Sequence, residues 1–372
     1  MKILEVITDT NIGGAGILLA TRCEYMDRSR YEIIVALPKG SKLGERFAYI
    51  GIPVIEIDGC YDRSLELKSI PKWMAVLKKI RPNLVNCHGC LSCRIAARLQ
   101  RVPILFDTRH CAFPPKRWQT VFPGKTVLRL GMKLLSDQTI AVADAAKQNL
   151  LDMGADSRKI KVIVNGAKPI QRLSQAERDQ WRDKMRIARD CFVVGIFGRL
   201  ESCKGHDVFL NAAETLLRQD LQYRFLIVGD GSLTEKLKAK ARDLSISDYV
   251  IFVGFAEDVT PYLNITDILV NCSRGTETSS LALSEGMSLG IPIVASDFGG
   301  NPYMIRNGEN GFLFSMDKPD ELAKRIQQIA KDPQLYTSLS EGARSRFEGE
   351  LNAKRMTMDT EELYDHWLAK QK

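Results

Sequence analysis

From Lys2 onward, short apolar runs rich in β-branched residues alternate with stretches of helical character, and near Val193 the alternation starts a second time. Strands that arrive singly, each followed by a helix, build parallel sheets, because a parallel neighbour is reached only through a crossover connection. The first half predicts strands at 2–8, 32–37, 54–57, 84–87, 104–108, 138–142 and 160–164, with the clearest helices at 16–26, 70–80, 92–100 and 144–153. The second half predicts strands at 193–197, 224–228, 250–253, 268–270, 293–295 and 311–314. With 372 residues there is length for two cores, so the expected fold class is α/β, two Rossmann-like domains facing each other across a cleft.

Asn165, Gly166 and Pro169 break regularity before a charged helical segment begins at Gln175, which sets the expected boundaries: domains at 1–168 and 169–351, then a helix over 352–372 that packs back on the first domain. The amino-terminal run carries Glu5 among its apolar residues and reads as a first strand, not a cleavable signal. No apolar stretch reaches the length of a membrane span. Nine cysteines, an odd number scattered through a long chain, fit a reducing cytoplasm better than a secreted disulfide framework. Cys87, Cys90 and Cys93 surround His88 too tightly, and without a second cluster, for zinc spacing, so no metal site is expected.

In an open parallel sheet ligands lie beyond the carboxyl ends of the strands, so the residues that follow strands carry the functional argument. Glu277 and Glu285 flank a run of small residues that becomes a helix near Ser280 and Leu281, just past the strand at 268–270. The first N–H groups of that helix suit a phosphate, and the two carboxylates suit hydroxyls attached to it. Arg199 and Lys204, in the turn after the strand at 193–197, supply a planar fork and a compact charge for a diphosphate. Gly13, Gly14 and Gly16 after the first strand form a turn that backbone and ligand can approach, although the dinucleotide spacing is not met. His110 ends the strand at 104–108 and places an imidazole at the same carboxyl edge; His88 also ends a strand, in either a packed or a supporting role.

Taken together these residues resemble the retaining glycosyltransferases of family 4 with the GT-B fold. The match runs through Gly13–Ala15, Thr108–His110, Val164–Gly166, Gly198–Leu200 with Lys204 and Gly205, Val228–Gly231, the Glu277/Glu285 pair, and Asn307–Phe312. The resemblance implies transfer of a sugar from a nucleotide-diphosphate-sugar to an acceptor hydroxyl with retention at the anomeric carbon, the leaving phosphate itself accepting the proton. It implies that Arg199 and Lys204 clamp the diphosphate with the backbone at Ser280 and Leu281, and that Gly14 faces the leaving phosphate. It further implies that Glu285 takes the ribose hydroxyls, that Glu277 and His110 contact the donor sugar as the catalytic pair, and that the base lies by Gly229, Gly231 and Phe255. Thr278, Ser279 and Ser280 stand where many relatives have Gly-Phe-Gly, and Asn301 stands near a position where an acid is frequent. No Asp-x-Asp motif occurs, so no metal or other cofactor is expected. A nucleotide-sugar epimerase and a non-catalytic partner subunit share the architecture; the intact Arg199, Lys204, Glu277 and Glu285 argue against the latter.

Charge is divided unevenly. Residues 1–170 hold 27 Lys and Arg against 15 Asp and Glu, and residues 67–135 hold 14 basic side chains against the single acid Asp107. The stretch from Phe113 to Leu135 mixes Lys116, Arg117, Lys125, Arg129 and Lys133 with Trp118, Phe122 and aliphatic residues. Such a segment suits an anionic membrane surface and a glycan or lipid-linked acceptor, at the inner face of a membrane; the other reading is a packed helix whose lysines face water. No nucleic-acid recognition motif accompanies the charge.

Overall fold

The structure, a computed structural model, describes residues 1–113, 115–219 and 222–370. Pro114 of the basic stretch and residues 371–372 of the expected terminal helix lie outside the described residues. The chain forms two units, Met1–Ala167 with Ala353–Lys372, and Lys168–Asn352. The fold is α/β, each unit built on one parallel sheet.

In the first unit the strands are β1 (Lys2–Ile7), β2 (Glu32–Pro38), β3 (Val54–Ile57), β4 (Leu84–His88), β5 (Ile104–Arg109), β6 (Gln138–Ala141) and β7 (Ile160–Val162). They lie in the order β3-β2-β1-β4-β5-β6-β7, with Ile3 beside Leu84 and Ile7 beside His88. The second unit contains β8 (Phe192–Phe197), β9 (Tyr223–Val228), β10 (Val250–Gly254), β11 (Ile268–Asn271), β12 (Ile293–Ser296) and β13 (Gly311–Phe314), in the order β10-β9-β8-β11-β12-β13. In both sheets the strand order reverses beside the first strand, between β1 and β4 and between β8 and β11. The connections on the two sides leave in opposite directions there and open a crevice at the carboxyl edge.

Val193, Val194, Ile268, Leu269, Ile293 and Val294 are all fully buried, as expected of strands covered on both faces by crossover helices. The helix Leu281–Ser288 packs on β11 because Gly286 has no side chain: a Cβ there would stand 2.5 Å from a Leu269 methyl. The helix Gln175–Lys184 opens the second unit with a capping box in which Ser174 Oγ accepts from the Glu177 N–H and the Ser174 N–H donates to the Glu177 carboxylate. The terminal helix Ala353–Ala369 belongs to the first unit, where Tyr364 is buried against Phe106. Among the described residues no helix is long and apolar enough to cross a membrane.

Candidate active site

At the switch point of the second unit, the loop after β8 and the loop after β11 are locked together by backbone contact. The Arg274 N–H donates to the Cys203 carbonyl at 2.8 Å. A Cβ on Gly205 would lie 2.1 Å from the Cys272 carbonyl oxygen, and Gly205 itself has φ +67°, so glycine is required there on both counts. Arg274 secures the pair of loops with hydrogen bonds to Asp207 at 2.8 Å, Asp317 at 2.9 Å and the Ser202 carbonyl at 3.0 Å.

This close packing brings Lys204 to Glu277. The Lys204 ammonium donates to Glu277 Oε2 at 2.8 Å, and Ser273 Oγ at 2.7 Å and Asn271 Nδ2 at 3.2 Å donate to the same oxygen. The Glu277 side chain is only 6% exposed. Burial by itself would raise its pKa, but the charge and hydrogen bond of Lys204, with the bonds from Ser273 and Asn271, hold it below the ordinary carboxylate value. The result is a fixed cation beside a fixed anion, with Glu277 four residues ahead of the helix start at Leu281.

Ser280 is the N-cap residue of Leu281–Ser288, yet its side chain makes no capping bond. The first N–H groups of that helix therefore remain without a capping side chain, the arrangement that accepts an anion. Glu285 follows on the second turn, half-buried. Arg199 is exposed on the turn after β8. Gly229 and Gly231 press on that turn: a Cβ on Gly229, at φ +139°, would sit 2.0 Å from the Gly198 oxygen, and one on Gly231 would sit 2.6 Å from the Leu200 oxygen. The Gly229 N–H donates to the Gly254 carbonyl at 2.8 Å, which sets Phe255, a residue 71% exposed, next to it.

Gly14 and His110 lie in the first unit. Gly14 begins the helix Gly14–Tyr25, and a Cβ would meet nothing within 4 Å, so neither packing nor dihedral angle demands glycine there. Gly16 is the crowded one, against Leu43. His110 follows β5 and its Nε2 lies 2.6 Å from His88 Nδ1, the rings stacked at 5.0 Å between centroids. His88 Nε2 is 2.9 Å from Glu5 Oε2. The side chains of Cys87, Cys90 and Cys93 pack in the core with Trp73 and Leu77. Asn301 is fully buried and donates to the Ser296 carbonyl at 3.0 Å, a structural role.

Sequence reasoning missed Asn271, Ser273 and Arg274, which position Glu277 and Lys204, and it missed Glu5 beneath His88. A signal existed for Glu5, since an acid inside a fully apolar strand needs buried partners.

The family model for glycosyl transferases group 1 matches residues 177–346, and that for glycosyltransferase family 4 matches residues 12–169. The chain belongs to glycosyltransferase family 4. An Escherichia coli relative, UDP-Gal:alpha-D-GlcNAc-diphosphoundecaprenol alpha-1,3-galactosyltransferase, is 27% identical over 317 residues, 80% of this chain and 79% of its own. The Rhizobium meliloti lipopolysaccharide core biosynthesis glycosyltransferase LpsE is 30% identical over 63% of this chain and 66% of its own. Among solved structures, Anabaena HepE in complex with UDP superposes with a TM-score of 0.85 at 22% identity, covering 98% of this chain and all of that one. This family 4 chain is thus an enzyme of the glycosyltransferase class with the GT-B fold, and its Lys204–Glu277 pair stands at the switch point where the fold places ligands.

Proposed function

We propose that the enzyme transfers a sugar, with retention of anomeric configuration, from a nucleotide-diphosphate-sugar to a hydroxyl of a lipid-linked or cell-surface glycan precursor, working at the cytoplasmic face of a membrane. The observation that carries this is the Lys204–Glu277 pair fixed beside the uncapped start of the helix Leu281–Ser288. In this reading Lys204, Arg199 and the N–H groups near Ser280 and Leu281 bind the diphosphate and stabilise the charge that grows on it as it leaves. Glu277, which spends one oxygen on its three donors, offers the other to a sugar hydroxyl; Glu285 takes the ribose and the exposed Phe255 ring stacks on the base. His110 bonds a hydroxyl of the sugar. Two cations and a helix terminus supply the countercharge that a divalent metal supplies elsewhere, so the reaction proceeds without one.

Support for a uridine nucleotide and a lipid-linked acceptor comes from the names of the relatives, HepE with UDP and the E. coli enzyme with its diphosphoundecaprenol substrate. Support for a membrane comes from the helices Arg117–Thr120 and Gly124–Leu135, which bury no residue. Leu128 and Met132 pack on the core of the unit, while Trp118, Phe122, Val127, Leu130 and Leu134 are exposed, Phe122 at 84%, among Lys116, Arg117, Lys125 and Arg129, so the outward face has the composition of an interfacial segment. The test is a thermal-shift panel of UDP-, GDP- and ADP-sugars in chelator, then transfer assays with the best stabiliser. One preferred donor and activity that survives chelation are expected; no stabilisation by any nucleotide sugar would refute the reading. Flotation with anionic and neutral liposomes tests the surface, and equal recovery from both would remove the electrostatic part.

A further inference from the structure

At the amino edge of the second sheet, opposite the carboxyl-edge crevice, the second unit holds a cavity of about 500 Å³ whose charged lining is five arginines and two aspartates, with no lysine. Asp267 and Ile291 fix its place, since they lead into β11 and β12. Both aspartates are engaged. Asp267 accepts from Arg182 Nη2 at 3.0 Å and from the Val193 N–H at 2.7 Å. Asp179 Oδ1 accepts from Gln175 Nε2 at 2.9 Å and lies 3.6 Å from Arg189 Nε. Arg182 and Arg189 are thereby accounted for as structural cations, and Arg182 Nη1 further donates to the Cys191 carbonyl at 2.8 Å.

The other three, Arg172, Arg178 and Arg344, have no carboxylate partner among the described residues. Arg172 donates to the Leu289 carbonyl and Arg178 to Gln175 Oε1, both neutral acceptors, and Arg178 Nε is buried with no acceptor. The Arg344 guanidinium lies over Gly290, where a Cβ would stand 2.9 Å from its Nε and Nη2 and from Ser340 Oγ. Leu289 and Gly290 are consecutive, so one turn gathers Arg172 and Arg344. Their closeness leaves an electrostatic trace: burial, then the charges of Arg344 and Arg178, lower the pKa of Arg172. The Tyr336 and Ser340 hydroxyls line the same cavity and make no hydrogen bond among the described residues.

Three like charges gathered around one cavity repel one another until an anion joins them. A carboxylate brings a single charge and would leave two guanidiniums unanswered. A phosphoryl group brings up to two charges and three acceptor oxygens, and the planar guanidinium fork meets such oxygens two at a time. We propose that this cavity is a second phosphoanion site, in which Arg172, Arg178 and Arg344 bind a soluble phosphate or diphosphate group and the Tyr336 and Ser340 hydroxyls donate to its remaining oxygens. None of its lining residues is an exposed large apolar side chain, unlike the surface at Trp118 and Phe122, so the ligand is a free anion and not a lipid headgroup. Leu289 caps the carboxyl end of the helix Leu281–Ser288, whose amino end is read above as the donor diphosphate site. The two sites are therefore separate and can be filled together, and this one does not rest on the transferase reading. Bound there, the anion ties the segment before Ser174 to the helices Gln175–Lys184 and Pro333–Arg346.

Arg172 and Arg344 are exposed, so phenylglyoxal labelling of the full-length protein in chelator, read arginine by arginine through peptide mass spectrometry, tests the site with inorganic pyrophosphate as the probe. Pyrophosphate at a few times its Kd should slow labelling of both about fivefold and leave Arg186, exposed in the same unit but outside the cavity, unchanged. Arg344→Gln, which removes a side chain without a partner, should move the midpoint of Arg172 protection about tenfold higher, and Arg344→Lys should move it less, keeping the charge without the fork. Lys324→Gln, an exposed position elsewhere in the unit, should not move it. No protection of Arg172 and Arg344, equal protection of Arg186, or an unmoved midpoint in Arg344→Gln would overturn the proposal. Protection by phosphatidylglycerol vesicles and not by pyrophosphate would overturn it in favour of a lipid headgroup. Protection of Arg199 by UDP is a separate readout: its absence would count against the transferase reading and leave this site standing.

Discussion

Replacing Lys204 with Ala strips the cation from a carboxylate that cannot reach water. Breaking a fully buried ion pair from one side costs roughly 3–5 kcal/mol. Here Ser273 and Asn271 continue to donate to Glu277, and the Lys204 side chain is 24% exposed, so water can enter the space it leaves. The expected loss at pH 8 is accordingly about 2 kcal/mol. The pH dependence carries the signature. In the parent protein Glu277 has a folded-state pKa below its ordinary 4.5, so its stabilisation is present above that value and is lost as pH falls through the folded pKa. Without Lys204, burial dominates and the folded pKa moves above 4.5, so the deficit of the variant should shrink toward pH 4 as its carboxyl takes up a proton. Glu277→Gln combined with Lys204→Ala should recover about 1–2 kcal/mol relative to the sum of the single changes. Hydrogen exchange of the Ile268–Asn271 amides measures this locally and does not require the two units to unfold as one. Equal protection at pH 8, or strict additivity of the two changes, would refute the argument. Ligand binding separates scaffold from function: Lys204→Ala should weaken UDP binding, whereas Glu277→Gln should tighten it by removing a negative charge beside the diphosphate.

Three further outcomes are expected. His206 is 2% exposed with neither ring nitrogen hydrogen-bonded, and burial, helped by Lys204, lowers its pKa to about 4; its contribution is complete above pH 6.5 and falls by up to about 3 kcal/mol as pH drops to 4, a slope that His206→Leu should flatten in urea titrations at pH 7 and pH 5. Gly300→Ala would put a Cβ 1.4 Å from the Thr278 carbonyl oxygen, so it should cost about 3 kcal/mol and abolish UDP stabilisation in thermal-shift assays. Tyr364→Phe removes one donor to Glu5 and one acceptor for Asn86, and should cost about 1–2 kcal/mol in thermal unfolding.

The strands were legible because buried parallel strands are continuous apolar runs; 54–57 and 311–314 match the observed β3 and β13 to the residue, and the others shift at their ends by one or two residues. The helix at 70–80 was equally plain, with Pro71 in its first turn and Arg81 closing it in the left-handed conformation. The sequence points to a first helix beginning at Gly16, but the helix starts at Gly14, since glycine there is tolerated at the helix entrance rather than reserved for a turn. The candidate site was legible only as residues that follow strands. Nothing in linear spacing says that Lys204 bonds Glu277, seventy-three residues away, or that Glu5 lies under His88, because those pairings are consequences of strand order.

Strand order also explains why each unit has placed a buried charge directly under its switch point. Where the order reverses, the neighbouring crossover helices part, and the loops at the crevice lose the packing that holds loops elsewhere. Something else must fix them. In the second unit the replacements are glycines that let backbones touch, at Gly205, Gly229 and Gly300, together with the Lys204–Glu277 pair. In the first unit the replacement is the Glu5 network, which spans β1, β4, β5 and the terminal helix. Charges held this way are costly to bury, but they are already oriented when a ligand arrives, so no reorganisation is charged to the reaction step. Loosening either network should therefore depress turnover more than it depresses ligand affinity, and this separation distinguishes a preorganised site from one that forms on binding.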